Sequence, residues 1–331
     1  MWIEHDLADL KLSQPTGVTI GAFDGVHLGH QALIRRMVDG ARAKQAVPIV
    51  ITFDPLPGQV LQPDSYKLLS TLDERLMHFE ALGVEGTIVL PFDDVLREMP
   101  AESFVQALVN QVRLGDLWVG PDFRLGRRQE GNVDYLRRAG RRLGYSVDVF
   151  DDIVRWRDAP VSSSRIRTAL TQGDIGEANG CLGYAFQLCG EIVHGYKRGR
   201  AMGFPTANLA VVAARLLPVN GVYICRAHLA SGTYVALTNI GTRPTFDNGK
   251  RTVEAYLLDF SRNIYEERMQ LVFLERLRPE WRFDSIDDLV RQMREDEAMA
   301  RRRLRDGVSL LTQPACPGGH LQNDPKLAGK L

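Results

Sequence analysis

The pattern of apolar residues changes near residue 186, so no single sheet type accommodates the whole chain. Before that point, short apolar runs alternate with stretches of helical spacing. Residues 18–20, 47–53, 87–90, 117–119 and 145–150 read as strands, and 72–82 and 103–112 as helices. Buried runs separated by amphipathic helices imply a parallel sheet covered on both faces. From residue 187 onward, short strand-like runs at 187–193, 221–229, 234–240, 253–258 and 269–277 are joined by Gly, Pro and Asn turns. No long helical pattern appears until 285–304. That order implies a small antiparallel barrel or sandwich with a terminal helix. At 331 residues the chain has room for two domains. The glycines and acidic residues of 171–183 read as a hinge, and the Pro-, Gly- and Lys-bearing stretch from Gln313 as a disordered tail.

Composition narrows the function classes. Lys+Arg and Asp+Glu each number 41, so net charge gives no argument for nucleic acid or an anionic membrane. The four cysteines form no metal-type CxxC pair and no disulfide framework, and are expected to be reduced. No apolar stretch approaches the roughly 18–20 residues of a membrane span. The opening Met-Trp-Ile-Glu-His-Asp lacks the basic and apolar regions of a secretory signal. The expectation is a cytoplasmic protein acting on small molecules, as a monomer or weak homo-oligomer.

Residues 21–30 read Gly-Ala-Phe-Asp-Gly-Val-His-Leu-Gly-His. They join the strand ending at Ile20 to a helix with Leu33, Ile34, Met37 and Val38 on one face. Strand, glycine turn and helix N-terminus together form an anion site, because backbone N–H groups and the positive end of the helix dipole face its occupant. Gly25 and Gly29 let the backbone approach a bulky phosphate, and His27 and His30 add side-chain donors. Ligands of parallel sheets sit beyond the carboxyl ends of the strands; the turns at 53–55 and 120–123 meet that condition too. A second cluster, Val161-Ser-Ser-Ser-Arg-Ile-Arg167, opens another helix. Ser162 or Ser163 can cap it, and Arg167 offers a two-pronged donor to phosphate oxygens. Each feature alone also fits an ordinary capped turn; together they suit a nucleoside triphosphate.

The densest string of the second half is 195–208, Gly-Tyr-Lys-Arg-Gly-Arg-Ala-Met-Gly-Phe-Pro-Thr-Ala-Asn. Gly195, Gly199 and Gly203 are interleaved with Lys197, Arg198 and Arg200, as in a basic loop over phosphates. It is not a P-loop, since no Gly-Lys-Ser/Thr ends it and no helix pattern follows. Thr206 and Asn208 point the same way if the segment is extended. A hydroxyl and an amide carbonyl on one face can then hold a hydrated Mg²⁺.

Four blocks of the first half, Gly21-x-Phe23-Asp24-Gly25-Val-His27-x-Gly29-His30, Thr52-Phe-Asp54-Pro55, Gly120-Pro-Asp122-Phe123-Arg-Leu-Gly126 and Ser162-Ser163-Ser164-Arg-Ile-Arg167, recur in order and spacing in one family. They resemble the adenylyltransferase module of prokaryotic bifunctional riboflavin kinase/FAD synthetase. The 195–208 string, Thr238-Asn-Ile-Gly-Thr-Arg-Pro-Thr245, Val253-Glu-Ala-Tyr256 and Leu277-Arg-Pro-Glu280 resemble its kinase module. Three departures stand out: Ala22 where Asn is common, Ser164 where Thr is common, and Tyr265-Glu266 where Tyr-Gly is usual.

The resemblance implies a Rossmann-like α/β nucleotidyltransferase domain over 1–182. It also implies a mainly antiparallel β-barrel riboflavin kinase domain with a terminal helix over 183–310, and a tail over 311–331. It implies that riboflavin is phosphorylated to FMN, and that FMN is then adenylylated to FAD with release of pyrophosphate. ATP is the co-substrate of both steps and Mg²⁺ the metal. His27 and His30 are expected at the α- and β-phosphates, and Arg167 at the leaving pyrophosphate. Gly21, Phe23, Asp24, Gly25, Gly29, Ser163 and Ser164 would complete the nucleotide site, with Asp54, Asp122 and Phe123 on the flavin side. In the kinase module, Gly199 and Gly203 would lie over ATP and Thr206 and Asn208 would hold the metal. Glu254 occupies the position of the catalytic base. The alternatives are a chain with one active half, a flavin-binding regulator without turnover, and adenylylation of another phosphorylated cofactor. Arg251, Lys250 and the terminal helix read as solvated charges.

Overall fold

The computed structural model describes residues 1–8, 10–195, 203–242 and 251–305. Gly199, Lys250 and the tail from residue 306 lie outside them. Contacts divide the chain into two units, residues 1–163 and residues from 164 onward.

The first unit is built on a six-stranded sheet whose strands run, from one edge to the other, Trp2–Glu4, Gly86–Leu90, Val47–Phe53, Thr16–Ile20, Leu114–Val119 and Ser146–Val149. Every pairing in it is parallel. Its apolar runs are continuous because both faces are covered. Val18, Ile20, Ile49, Ile51, Ile88, Leu117 and Val119 join one core. Val50, Val89 and Trp118 face the other, where Ile34, Met37 and Val38 of the helix Leu28–Ala43 meet them. The chain moves from Thr16–Ile20 to Val47–Phe53 and Gly86–Leu90 on one side, then crosses to Leu114–Val119 on the other. That reversal opens a crevice at the carboxyl ends of Thr16–Ile20 and Leu114–Val119. The turns at 21–30 and 120–123 leave from those two ends.

The second unit holds a closed barrel of Gln187–Val193, Thr206–Ala210, Arg251–Leu257, Gly232–Thr242, Gly221–Leu229 and Arg268–Arg278, all antiparallel neighbours. Alternation fills its interior with small and apolar residues: Ala207, Cys225, Ala236, Thr238, Val253 and Ala255 are buried. The helix Ile286–Arg305 covers part of the outer face around Ile224, Leu237 and Leu258 through Ala300. Its Asp296 is buried and paired with Arg278 at 2.8 Å. The expected parallel sheet, barrel and terminal helix are thus all present.

Three local readings change. The stretch read as a hinge carries the helix Ile175–Leu182, whose Ile175, Ala178, Cys181 and Leu182 are buried. Asp174 caps its N-terminus, Gly183 ends it in the left-handed conformation, and Asn179 bonds Phe186 N and Phe273 O. The glycine there is a helix stop, not a source of freedom. The helix expected over 103–112 is Ala101–Ala107 followed by a π-helical turn, Leu108–Val112. Arg251, though exposed, is more than a solvated charge: it donates to Asn220 Oδ1 at 2.8 Å and to the carbonyls of Leu217 and Pro218. Cys181 and Cys225 are free and buried.

Candidate active sites

The turn after Thr16–Ile20 is held in an uncommon backbone shape. Phe23, Gly25 and Val26 have φ of 48°, 80° and 32°. For Phe and Val such conformations cost on the order of 1–3 kcal/mol each, while Gly25 adopts its own without penalty. Asp24 supplies the compensation. It is 2% exposed, and its carboxylate accepts from Leu69 N at 2.9 Å, Ser70 N at 3.0 Å and Tyr66 OH at 3.1 Å. Gly25 N donates to Ser70 Oγ at 2.7 Å, and Ser163 Oγ donates to Asp24 O at 3.0 Å. Hydrogen bonds to a charged group contribute about 1.5–3 kcal/mol each, so the clamp outweighs the strain. Asp24 therefore braces the phosphate turn from behind.

The turn delivers two stacked imidazoles. His27 and His30 lie with ring centroids 3.6 Å apart and planes at 17°, and the Phe23 and His30 rings meet edge-to-face with centroids 5.3 Å apart. His27 is the N-cap of Leu28–Ala43, its Nδ1 accepting from His30 N. That bond places the proton of neutral His27 on Nε2, where it can be donated to a ligand. His30 Nδ1 is buried without a hydrogen-bond partner, an unmet polar group of the kind a bound ligand satisfies. Burial, then the neighbouring His27, holds the His30 pKa well below the ordinary value. Gly29 lets the stack close: a methyl group there would stand 3.2 Å from the His27 ring. Gly21 is similarly tight, its missing Cβ falling 2.9 Å from the Phe23 ring.

Beside this turn lies a cavity of about 720 Å³ lined by Gly21, Ala22, Phe53, Phe92, Phe104 and Phe123 among others. Asp122 and Arg128 are also part of its lining. An aromatic wall with a polar rim fits a flat heteroaromatic ligand. Asp54 is half exposed and stands 4.0 Å from Arg75. Ser164 and Arg167 follow Ser163 on the helix Ser163–Gln172, Ser164 exposed and Arg167 half-buried. Its neighbour Arg165 is engaged by Glu177, Nε to Oε1 at 2.7 Å.

In the barrel, register does what the turn does in the first unit. Glu254 is directly opposite Asn208 on one side and Asn239 on the other, and directly opposed residues share a face. Thr206, two residues from Asn208, joins them. Burial alternates accordingly, with Ala207, Leu209, Val253 and Ala255 buried and Thr206, Asn208 and Glu254 half-buried. Thr206, Asn208, Glu254 and Asn239 are therefore on the outer face of the barrel. Thr252 Oγ1 donates to Glu254 Oε1 at 3.4 Å. A cavity of about 590 Å³ opens beside Thr206, lined also by His194, Pro205, Phe260 and Tyr265, with His194 stacked on Tyr265 at 3.8 Å. Gly203 is exposed with φ of 83°. Glu266 adopts φ of 68°, so the glycine-type turn survives the substitution noted at Tyr265-Glu266.

Comparison with known proteins follows this geometry. The FAD synthetase family model matches residues 10–165 and the riboflavin kinase model residues 182–304. A bifunctional riboflavin kinase/FMN adenylyltransferase from Haemophilus influenzae is 34% identical over 88% of this chain and 95% of its own length. One from Listeria monocytogenes is 35% identical over 86% and 91%. The chain belongs to this bifunctional family. A crystal structure described as a macrolide-efflux protein from Streptococcus pneumoniae has a TM-score of 0.81 at 29% identity, covering 90% of this chain and 98% of that one. Among the described residues of this chain, no helix is long and apolar enough to cross a membrane.

Three contributors are not among the expected site residues. Arg75 is 1% exposed and reaches Ala22 O at 3.1 Å, Thr52 Oγ1 at 2.7 Å and Phe53 O at 3.0 Å. Asn239 flanks Glu254 through register alone. Gly195 leaves room for the Asn208 side chain, which a methyl group at that position would overlap. Gly195 and Asn239 carried a signal in the sequence, as members of the 195–208 and 238–245 strings, and Arg75 carried none.

Two outcomes follow. A Gly195→Ala variant should displace the Asn208 amide and slow riboflavin phosphorylation by roughly 10- to 100-fold, with FAD formation from supplied FMN unchanged in the same preparation. The second concerns acid. Burial pushes His78 down to about 4, and in the unfolded chain it titrates near 6.5. The unfolded state thus binds more protons between those values, so stability rises with pH across that window. The contribution is fully present above about 6.5 and is lost as pH falls to about 4, roughly 3 kcal/mol in all. Urea midpoints from pH 7 to pH 4.5 should fall more steeply for the wild type than for His78→Gln.

Proposed function

We propose that the two sites carry out successive steps: the barrel phosphorylates riboflavin to FMN, and the parallel-sheet unit joins FMN to the adenylyl group of ATP. The opposed Asn208, Glu254 and Asn239 in one unit, with a cavity beside Thr206, and the stacked imidazoles beside an aromatic cavity in the other, carry this reading. Membership of the bifunctional family supports both activities.

The chemistry explains why the two sites differ. In the kinase step the nucleophile is the ribityl 5′-hydroxyl, which still holds its proton, and a carboxylate positioned to take that proton helps. Glu254 is the base in this reading. In the adenylyl step the nucleophile is the FMN phosphate, already ionised at neutral pH. The new bond joins a phosphate oxygen to the α-phosphorus, and the bond to the β-phosphate oxygen breaks to release pyrophosphate. No base is needed there; donors must offset charge on the transferring group. His27 Nε2–H and His30 are the donors, at the α- and β-phosphates, and Arg167 accompanies the pyrophosphate. Phe123 and Phe53 cover the flavin ring, with Asp54 and Asp122 on that side and Gly21, Phe23, Gly25, Gly29, Ser163 and Ser164 forming the nucleotide side, which Asp24 supports from behind.

Thr206 and Asn208 offer hard oxygen donors two residues apart on one face, next to Glu254, and so fit Mg²⁺. Among the described residues there is no cluster of three or more His, Cys, Asp or Glu, and Mg²⁺ characteristically relies on substrate phosphates and water for its remaining ligands. When bound, the ion neutralises charge on the phosphates of ATP. Gly199 and Gly203 belong to the loop over those phosphates. We divide the activities at 1–182 and 183–310, and place the enzyme in the cytoplasm as a monomer or weak homo-oligomer with no nucleic-acid or membrane partner.

Paired variants test the division of labour. Glu254→Gln should lose roughly 10²- to 10⁴-fold in FMN formation while still binding riboflavin and still converting supplied FMN to FAD. His30→Ala should lose about 10²- to 10³-fold in FAD formation and accumulate FMN. Loss of both steps in either variant would contradict the assignment.

A further inference from the structure

The phosphate turn and the aromatic cavity of the first unit are supported by one segment that belongs to neither. Residues 66–79 contact the turn at successive points: Tyr66, Leu69 and Ser70 on Asp24, Ser70 on Gly25, Arg75 on Ala22, and the ring of Phe79 against Phe23 at 5.7 Å. The helix Leu72–Ala81 begins with a reciprocal cap between Thr71 and Glu74, which fixes where Arg75 and Phe79 emerge, one turn apart. Among these contacts Arg75 alone also reaches the neighbouring strand. Its guanidinium joins the Ala22 carbonyl, leaving Thr16–Ile20, to Thr52 Oγ1 and the Phe53 carbonyl, at the end of Val47–Phe53. Ala22 and Phe53 both line the cavity. Beside the direct bonds of Gly21 N to Ile51 O at 3.0 Å and Thr52 Oγ1 to Ala22 O at 3.3 Å, one buried cation thereby ties the turn that carries His27 and His30 to the wall that receives the flavin.

We infer that Arg75 is a positioning residue for adenylyl transfer, locking the flavin wall to the phosphate turn so that the FMN phosphate meets the α-phosphorus in line. It does so through acceptors on the turn and on the adjacent strand, which suits a planar fork with five donors. A lysine ammonium presents a single point and cannot reach all three at 2.7–3.1 Å. The inference rests on the proposed function of this site, and a misplacement of about 1 Å there costs on the order of 10²-fold in rate.

The test uses the full chain with Arg75→Lys, and Thr52→Val as a milder variant that leaves the cation but removes one of its acceptors together with the Thr52 Oγ1 bond to Ala22 O. Unfolding midpoints set an assay temperature at which each variant is folded, and rates are expressed per folded molecule. Arg75→Lys should lower kcat for FAD formation by at least about 10-fold while KM for FMN moves by less than about 3-fold and riboflavin phosphorylation is unchanged. Thr52→Val should show a smaller loss of the same kind, and it decides the matter if the lysine variant does not fold. Folded Arg75→Lys with kcat within about twofold of the wild type would overturn the inference and leave Arg75 a purely structural cation. Failure of the wild type itself to make FAD from FMN would instead overturn the functional reading on which it rests.

Discussion

The carboxylate of Asp24, accepting the backbone N–H groups of Leu69 and Ser70, is the interaction on which the first unit depends. Without it, Phe23 and Val26 have no reason to hold left-handed backbone, and the helix Leu28–Ala43 loses the entry that makes His27 its cap. The clamp is also why the histidines stack. Their rings are fixed by a cap, by Phe23 and by a glycine that leaves room, so little reorganisation is left for the reaction. Donors held in place before charge develops stabilise it more than donors that must be gathered.

The second unit reaches the same end without strain in its reactive strands. Thr206, Asn208, Glu254 and Asn239 are brought together by antiparallel register, in which a shift of one residue would turn each of them into the barrel. Their neighbours Ala207, Ala255 and Thr238 are buried and small or apolar, so that slip would bury a carboxylate and two amides. Register and function are thus protected by the same hydrophobic alternation. The two units also divide along proton chemistry: the half with a protonated nucleophile presents a carboxylate on an open face, and the half with an ionised nucleophile presents imidazoles at a helix start.

The sequence was most informative where periodicity is local. The strands Val47–Phe53, Gln187–Val193 and Gly221–Leu229 have the bounds their apolar runs suggest, and His27 and His30 occupy the turn that the glycines marked. It was least informative where a side chain's partner is distant. Asp24 reads as a ligand for phosphate because its motif is all that is visible; its partners lie some 45 residues away. Arg75 sits outside every motif, and only the adjacency of two strands gives its guanidinium a purpose. The glycines of 171–183 suggested freedom because a helix stop and a hinge use the same residue, and burial of Ile175, Ala178 and Leu182 decides between them. Glu266 shows the converse, a left-handed turn kept without the glycine that would announce it.

The most direct measurement is a time course of the wild-type chain with riboflavin, ATP and Mg²⁺, the flavins being separated by chromatography. FMN should appear first and then decline as FAD rises, since the product of the barrel is the substrate of the parallel-sheet unit. FMN that accumulates without FAD would contradict the role given to His27, His30 and the aromatic cavity, and riboflavin that stays unphosphorylated would contradict the role given to Glu254.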